Sequence, residues 1–564
     1  MIPNRVVRQG EYIIDTSGIV DRLINGYRTT TRGRPPSHDK LRLMLLALYL
    51  TAHQRRTLML KTAFNTLTND IDLKTKIRLG VCDPVRHRRL LVSCCDFYNF
   101  ARAIKTGLAW IDTPDSRIPA NDHARRRQVV EDCCDAVMDV FPTRWEESAT
   151  VAIDATGIHA WGRSMPKKTI DVLDEMDLSG TDIKDKQKRF ERRLAKRYEH
   201  EPDQAPPVKA RREWEARYGN KTDKNGREAV FFGYHEHTVV IVPPAEIATD
   251  AVPPLIQRFR LTPANADVVE PTLNMLDSIN INSAVTDVLV DRHYHYKQWD
   301  RWGAELRKRR IDQHLDLRLD ETGFIFHDGM PWAAGQAHCP ATPDELGRLQ
   351  RPAVNAPRHE FDRFRTKIAA RQARAMVPHT KLDEHGRQRL QCPALAGLVG
   401  CPLREGTKEV AIHAGLPIIQ EPPSLETHPE LPKCCTQQTV KPPTPPEPIL
   451  KLQQPFYWGS AEWEELYARR TYVEGSYGIR KNPAAENVDR GQNQVFGLVW
   501  LHLTHALVNA SYNLNRLEAW AAKHPDHPHA QHPLLAIPDT EQNHFGAYVT
   551  AEEFRQLQQN RDAA

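Results

Sequence analysis

The sequence predicts an α/β protein: a mixed sheet flanked by helices, with an all-α N-terminal domain ahead of it and a large insertion within it. Three observations lead there. Up to about residue 145 the apolar residues recur at helical spacing. From Thr150 onward, short β-branched runs alternate with helical stretches. Between 320 and 455 that alternation stops, and cysteine and proline accumulate instead. The divisions that follow are a helical segment at 1–145, the first part of the sheet core at 146–319, the insertion at 320–455, the last part of the core at 456–520 and a tail at 521–564.

Taken in order, residues 1–36 read as polar and end in the basic turn RGRPP. Ser37 stands where an N-cap is needed, ahead of a strongly apolar helix at 41–50. Further helices are expected near 57–67, 90–105 and 125–141. Basic residues cluster at 53–56, 86–89 and 125–127, which suits either a nucleic-acid-binding module or a plain helical scaffold. At Thr150 the texture changes to TVAIDATGIHAWGR, a short buried strand that ends in Asp154. A carboxylate there stands at a sheet's carboxyl edge, where open α/β sheets bind ligands.

Residues 164–228, including KDKQKRFERRLAKRYE, carry mixed charge at helical spacing and read as a solvated insertion. Strands are expected at 229–242 and 255–261, then a loop and helix from TPANADVVE onward. The next strand, 284–290, ends at Asp291, whereas Asp287 falls on the strand itself. A basic helix at 296–310 and a strand at 311–319 complete the order β, β, β, α, β, α, β. Proline makes 421–455 an unpromising place for regular structure, a long apolar helix is expected at 495–517, and the last forty residues read as a loose tail.

Composition narrows the setting. Hydrophobic content of 40% and charged content of 26% are ordinary for a globular protein. A net charge of +5 and a pI near 8.6 permit nucleic-acid binding without requiring it. The start, MIPNRVVRQGEY, has no apolar run of the signal-peptide kind, and the apolar helices at 41–50 and 495–508 are too short or too polar to span a bilayer. The expectation is a cytoplasmic protein in which ten cysteines are reduced thiols or metal ligands, not a disulfide framework.

The stretch YARRTYVEGSYGIRK at 467–481 places Tyr467, Arg470, Glu474 and Lys481 within an arc of about 60° on a helix. One face then carries an aromatic hydroxyl, a guanidinium, a carboxylate and an ammonium. This Tyr-x2-Arg-x3-Glu-x6-Lys pattern resembles the signature of bacterial insertion-sequence transposases of the IS4 type, within the DDE group. The contexts IDATGIHAWGR around Asp154 and Asp-x-x-Tyr at Asp291 and Tyr294 are similar to the family's two upstream aspartates.

The resemblance, which covers roughly 150–320 and 455–517, implies an RNase H-like core with Asp154, Asp291 and Glu474 as catalytic and metal-binding carboxylates. It implies Mg²⁺, with Mn²⁺ as a substitute, and double-stranded DNA as partner, both the element's inverted-repeat ends and its target. Arg470 and Lys481 would hold phosphates, and Tyr467 would hydrogen-bond one. It further implies a homodimer in the DNA complex, a bacterial cytoplasmic setting at the nucleoid, and DNA-binding helices in the N-terminal segment. A regulator with an idle site, or a metal-dependent nuclease without strand transfer, shares most of these features.

The insertion adds a separate question. Cys339 beside His338, Cys392, Cys401 and the Cys434-Cys435 pair offer enough donors for a structural Zn²⁺, and inert buried thiols are the other reading.

Overall fold

The computed structural model describes residues 1–538 apart from 31–34, 113–117, 163–212, 223–227, 282, 292–293, 295–296, 354, 425–429, 483–487 and 489–490. Ahead of the first strand the described residues hold seven α-helices: α1 Asn4–Ser17, α2 Ile19–Thr30, α3 His38–His53, α4 Leu60–Asn69, α5 Leu73–Arg78, α6 Cys94–Leu108 and α7 His123–Met138. The first two correct the reading of 1–36 as merely polar. Val7, Ile14 and Ser17 on α1, and Val20, Leu23, Ile24 and Tyr27 on α2, form buried stripes at helical spacing that the average composition hides. Gly18 separates the two helices at φ +60, a conformation that favours glycine.

Ser37 does occupy the N-cap position of α3, in extended conformation, but its side chain makes no capping hydrogen bond. Helix α3 is buried from Leu41 to Ala52 with almost no exposed face, so it is a core helix surrounded on all sides.

The main sheet has six strands: β1 Thr150–His159, β2 Arg217–Thr222, β3 Glu228–Val242, β4 Ile256–Pro263, β5 Asp287–Val290 and β6 Asp312–Leu315. The long β3 runs antiparallel to β1 on one side, and on the other pairs first with β2 and then with β4. Beyond β1 the sheet is parallel, through β5 to β6. Strand β2 corrects the reading of 164–228 as one solvated insertion; the KDKQKRFERRLAKRYE run lies outside the described residues. Helix α8, Val269–Asn280, links β4 to β5, while the basic helix expected at 296–310 is reduced to α9, Gly303–Lys308.

Alternation along the strands sends Val151, Ile153, Val288 and Val290 to one face and Ala152 and Leu289 to the other. The second face shares a continuous core with the N-terminal helices and with a long helix near the end of the described chain.

That long helix, Leu498–Ala521, follows two shorter ones, Ala461–Ala468 and Thr471–Lys481. Its first N–H groups are taken by two buried carboxylates, Glu213 to Gly497 at 2.7 Å and Glu215 to Leu498 at 2.8 Å, which suits acids at a helix N-terminus. Among the described residues the insertion between β6 and Ala461–Ala468 contains two small three-stranded sheets and two helices longer than four residues, Arg358–Gln372 and Thr407–Ala414. Among the described residues its proline-rich end holds four-residue helical turns and a two-residue strand.

The tail is not loose as far as it is described. Trp145 stacks against His527, with ring centroids 5.6 Å apart, and Leu534 is fully buried. Among the described residues no helix is long and apolar enough to cross a membrane.

Candidate active site

Parallel pairing of β1 with β5 aligns Thr150 with Asp287 and Ala152 with Leu289. Continued by two residues, that register brings Asp154 level with Asp291, on the same face as Ala152 and Leu289. Asp291 directly follows the last residue of β5, as the sequence implies. Asp154 differs from expectation: it lies within its strand, not at its end, because β3 pairs with β1 all the way to His159 after β5 has stopped. Asp287 opens β5 at the far end, where His314 Nε2 meets its carboxylate at 2.7 Å and Thr286 Oγ1 donates to it at 2.7 Å. It is therefore a satisfied structural acid at the opposite edge.

The 467–481 stretch is two helices and not one. Tyr467 lies in the last turn of the first, Glu474 lies in the first turn of the second, and the turn between them is tight. Four bonds there run three residues back, among them Arg470 N–H to the Tyr467 carbonyl at 3.0 Å and Val473 N–H to the Arg470 carbonyl at 3.2 Å. Two tyrosines fasten this bend to the sheet. Tyr467 stacks on Trp463 at 4.8 Å and donates its hydroxyl to the Val290 carbonyl at 3.2 Å, one residue before Asp291. Tyr477 donates to the carbonyl of Asp154 itself at 2.6 Å. Each of the two aspartates therefore has a tyrosine from the bend bonded to its strand.

The signature residues meet at this edge, although their partners are protein groups. Arg470 donates to Glu474 at 2.6 Å and lies 3.8 Å from the Asp154 carboxylate, so one guanidinium bridges two of the three acids. Lys481 reaches back to β1, donating to Thr156 Oγ1 at 2.6 Å and to the Gly157 carbonyl at 2.9 Å. Tyr467, expected to face a phosphate, is buried against the sheet. The Glu474 carboxylate remains about half exposed.

Charge at this edge is not balanced. Burial, reinforced by Asp291 and Glu474, pushes the Asp154 carboxyl up to about 7, despite the Ala155 N–H and Arg470 pulling the other way. Burial works against the charge of Arg470, but Tyr467, Glu474 and Asp154 outweigh it and raise its pKa. Three hard-oxygen donors with a surplus of negative charge suit a divalent cation of the Mg²⁺ kind. As they stand, no three His, Cys, Asp or Glu side chains among the described residues are gathered on one metal position.

The sequence reading missed the lock behind the Glu474 helix. Arg480 is 1% exposed and pairs with the equally buried Glu236 on β3. Asn509 accepts from Arg480 at 2.8 Å, and His505 Nδ1 meets Glu236 at 3.1 Å. Burial opposes the charge on Glu236, yet Arg480 and His505 hold it well below the usual carboxylate range. A signal was available: Val473, Ser476, Tyr477 and Arg480 form the helix's buried stripe, so Arg480 falls on the apolar face.

No family model, curated protein or solved structure matches the chain.

Proposed function

We propose that the chain is a DDE-type DNA transposase that cleaves at the ends of an insertion sequence and joins them to target DNA. The observation that carries the reading is the convergence of Asp154, Asp291 and the Glu474 helix on one sheet edge, with a tyrosine of the signature stretch bonded to each aspartate's strand. An RNase H-like core is supported by a mixed sheet in which β1 lies between one long antiparallel strand and two parallel ones. The N-terminal helices, with their basic clusters, are the candidate end-binding module, and the DNA complex is read as a homodimer at the bacterial nucleoid.

Asp154, Asp291 and Glu474 would hold Mg²⁺, and the fit rests on their hard oxygens and on the uncompensated charge at Asp154. Bound there, the metal supplies activation of the attacking oxygen and charge relief on the leaving one. The protein's own contribution is position. Asp154 and Asp291 are held by backbone on adjacent parallel strands, and the tyrosine bonds and the Arg480–Glu236 pair fix the helix that carries Glu474. Arg470 and Lys481 supply positive charge at the same edge, where phosphates of a bound duplex can exchange for their present partners.

The test uses the full chain, Mg²⁺ and a duplex bearing the inverted repeat that borders the gene. Nicking at the repeat boundary, followed by joining of the exposed 3′-hydroxyl to a plasmid, is the expected result. Cutting without joining would move the reading to a nuclease, and end binding without cutting to a regulator.

A further inference from the structure

Part of the insertion packs into a main core through Leu349, Phe364, Ile368 and Leu452, and the rest holds two small clusters of its own. Met330, Trp332, Met376 and Leu390 anchor one small cluster, which also buries Cys434, with Cys435 packed at its edge. A second is built from Ala394, Val399 and Ile419 together with Cys339, Cys392 and Cys401. Small apolar clusters of this kind gain stability from a cross-link or a metal. Five of the ten cysteines fall between 339 and 435, and all are free thiols.

The three thiols of the second cluster share a local design. Each begins a Cys-Pro step: Cys339-Pro-Ala, Cys392-Pro-Ala and Cys401-Pro-Leu. A turn follows each, closed by Thr342 N–H on the Cys339 carbonyl at 2.9 Å, Ala396 N–H on Cys392 at 3.0 Å and Arg404 N–H on Cys401 at 3.0 Å. Cys339, Cys392 and Cys401 pack together in the second cluster, and Arg404 ties the Cys401 turn to the first. Arg404, whose Nη2 donates to the Cys434 carbonyl at 3.1 Å, places positive charge beside Cys435. His338 Nε2 meets the Tyr457 hydroxyl at 2.7 Å, while its buried Nδ1 has no hydrogen-bond partner.

We propose that Cys339, Cys392, Cys401 and Cys435 form a structural zinc site that joins the two small clusters of the insertion. Four soft thiolates select zinc over magnesium, which keeps this site distinct from the carboxylate edge. The sulfurs are not yet gathered on one position among the described residues. Zinc binding draws them in, with loss of the thiol protons to solvent, and Arg404 offsets part of the resulting negative charge.

The test is metal analysis of the full chain purified without chelator. About one zinc per chain is expected, falling at least tenfold in Cys392→Ser/Cys401→Ser and unchanged in Cys95→Ser and Asp154→Ala. After stripping, Co²⁺ titration of the wild-type chain should develop the intense bands of tetrahedral cobalt thiolate. This arm decides the matter if the double variant fails to fold. A wild type without zinc that also develops no cobalt band overturns the proposal, as does zinc content equal in the wild type and a folded double variant. Retention of zinc in Asp154→Ala separates this outcome from the fate of the transposase reading.

Discussion

Asp154 and Glu236 are neighbours with opposite fates. They lie on paired strands, Asp154 facing Thr238 and Glu236 facing Thr156, and both carboxyls are largely withdrawn from water. Burial raises the pKa of each. At Glu236 a guanidinium and an imidazole overcome it, and the acid is held ionised. At Asp154 two more acids add to the burial, one arginine is shared between two of the three carboxylates, and the carboxyl is pushed up to about 7. The first is a completed structural interaction. The second is a site whose charge is left for something else to balance, which is how functional acids differ from structural ones.

The largest effect expected on activity comes from the incomplete side. Asp154→Ala, Asp291→Ala and Glu474→Ala should each lower end cleavage by more than about a hundredfold, the upper end of what losing an outer partner of a metal site costs. Gel-shift affinity for the repeat should stay near wild type, because phosphate contacts elsewhere dominate binding. Asp287→Ala should cleave normally, and a dead Asp287 variant beside an active Asp291 variant would reassign the second ligand.

Stability should respond in the opposite pattern. Arg480→Ala leaves Glu236 buried without its main partner and should cost about 3–5 kcal/mol in denaturant melts. Asp154→Asn removes an acid that is unfavourably buried and should leave stability equal or higher. If both substitutions destabilise alike, the contrast between the two acids fails.

A pH series sharpens the same contrast in metal-free protein. The folded pKa of Glu236 is depressed, so its contribution is complete above the ordinary value of 4.5 and is lost as pH falls through the folded value. The folded pKa of Asp154 is raised, so the folded state binds the extra proton, and stability declines as pH rises from 3.8 toward about 7. Glu236→Gln should flatten the acid limb, and Asp154→Asn should flatten the decline between those two values.

The smallest effect is expected at Lys481. Its ammonium is already bonded to Thr156 and Gly157, so Lys481→Ala should weaken end binding modestly and lower the salt slope by about one unit. Mn²⁺ titration should not change. Impaired metal binding with an unaltered salt slope would reverse this assignment.

Much of the molecule could be read locally. Helices α3, α6 and α7, the long strand β3 and the end of β5 at Asp291 follow from period and flanking residues. The misses have one kind of cause. Helices α1 and α2 are carried by buried stripes diluted among charges, and β2 is a strand because the first half of β3 offers it a partner. Pairing with β3 also extends β1 past Asp154. The strand that extends β1 lies far along the chain, whereas β2 directly precedes the strand that pairs with it.

The sequence by itself determined which chemical groups the protein has, and in what order along its strands and helices: two aspartates that follow apolar runs, and a Tyr-Arg-Glu-Lys set at helical offsets. Side-chain period and turn chemistry are local, so they are legible one window at a time. Only the tertiary structure decided that Asp154 and Asp291 stand level, that the Glu474 helix bends and is fastened to both their strands, and that Arg480 is spent on Glu236. Those outcomes depend on register between strands more than a hundred residues apart and on which charges share a dry interior, where the partner and not the residue type sets whether an acid is ionised.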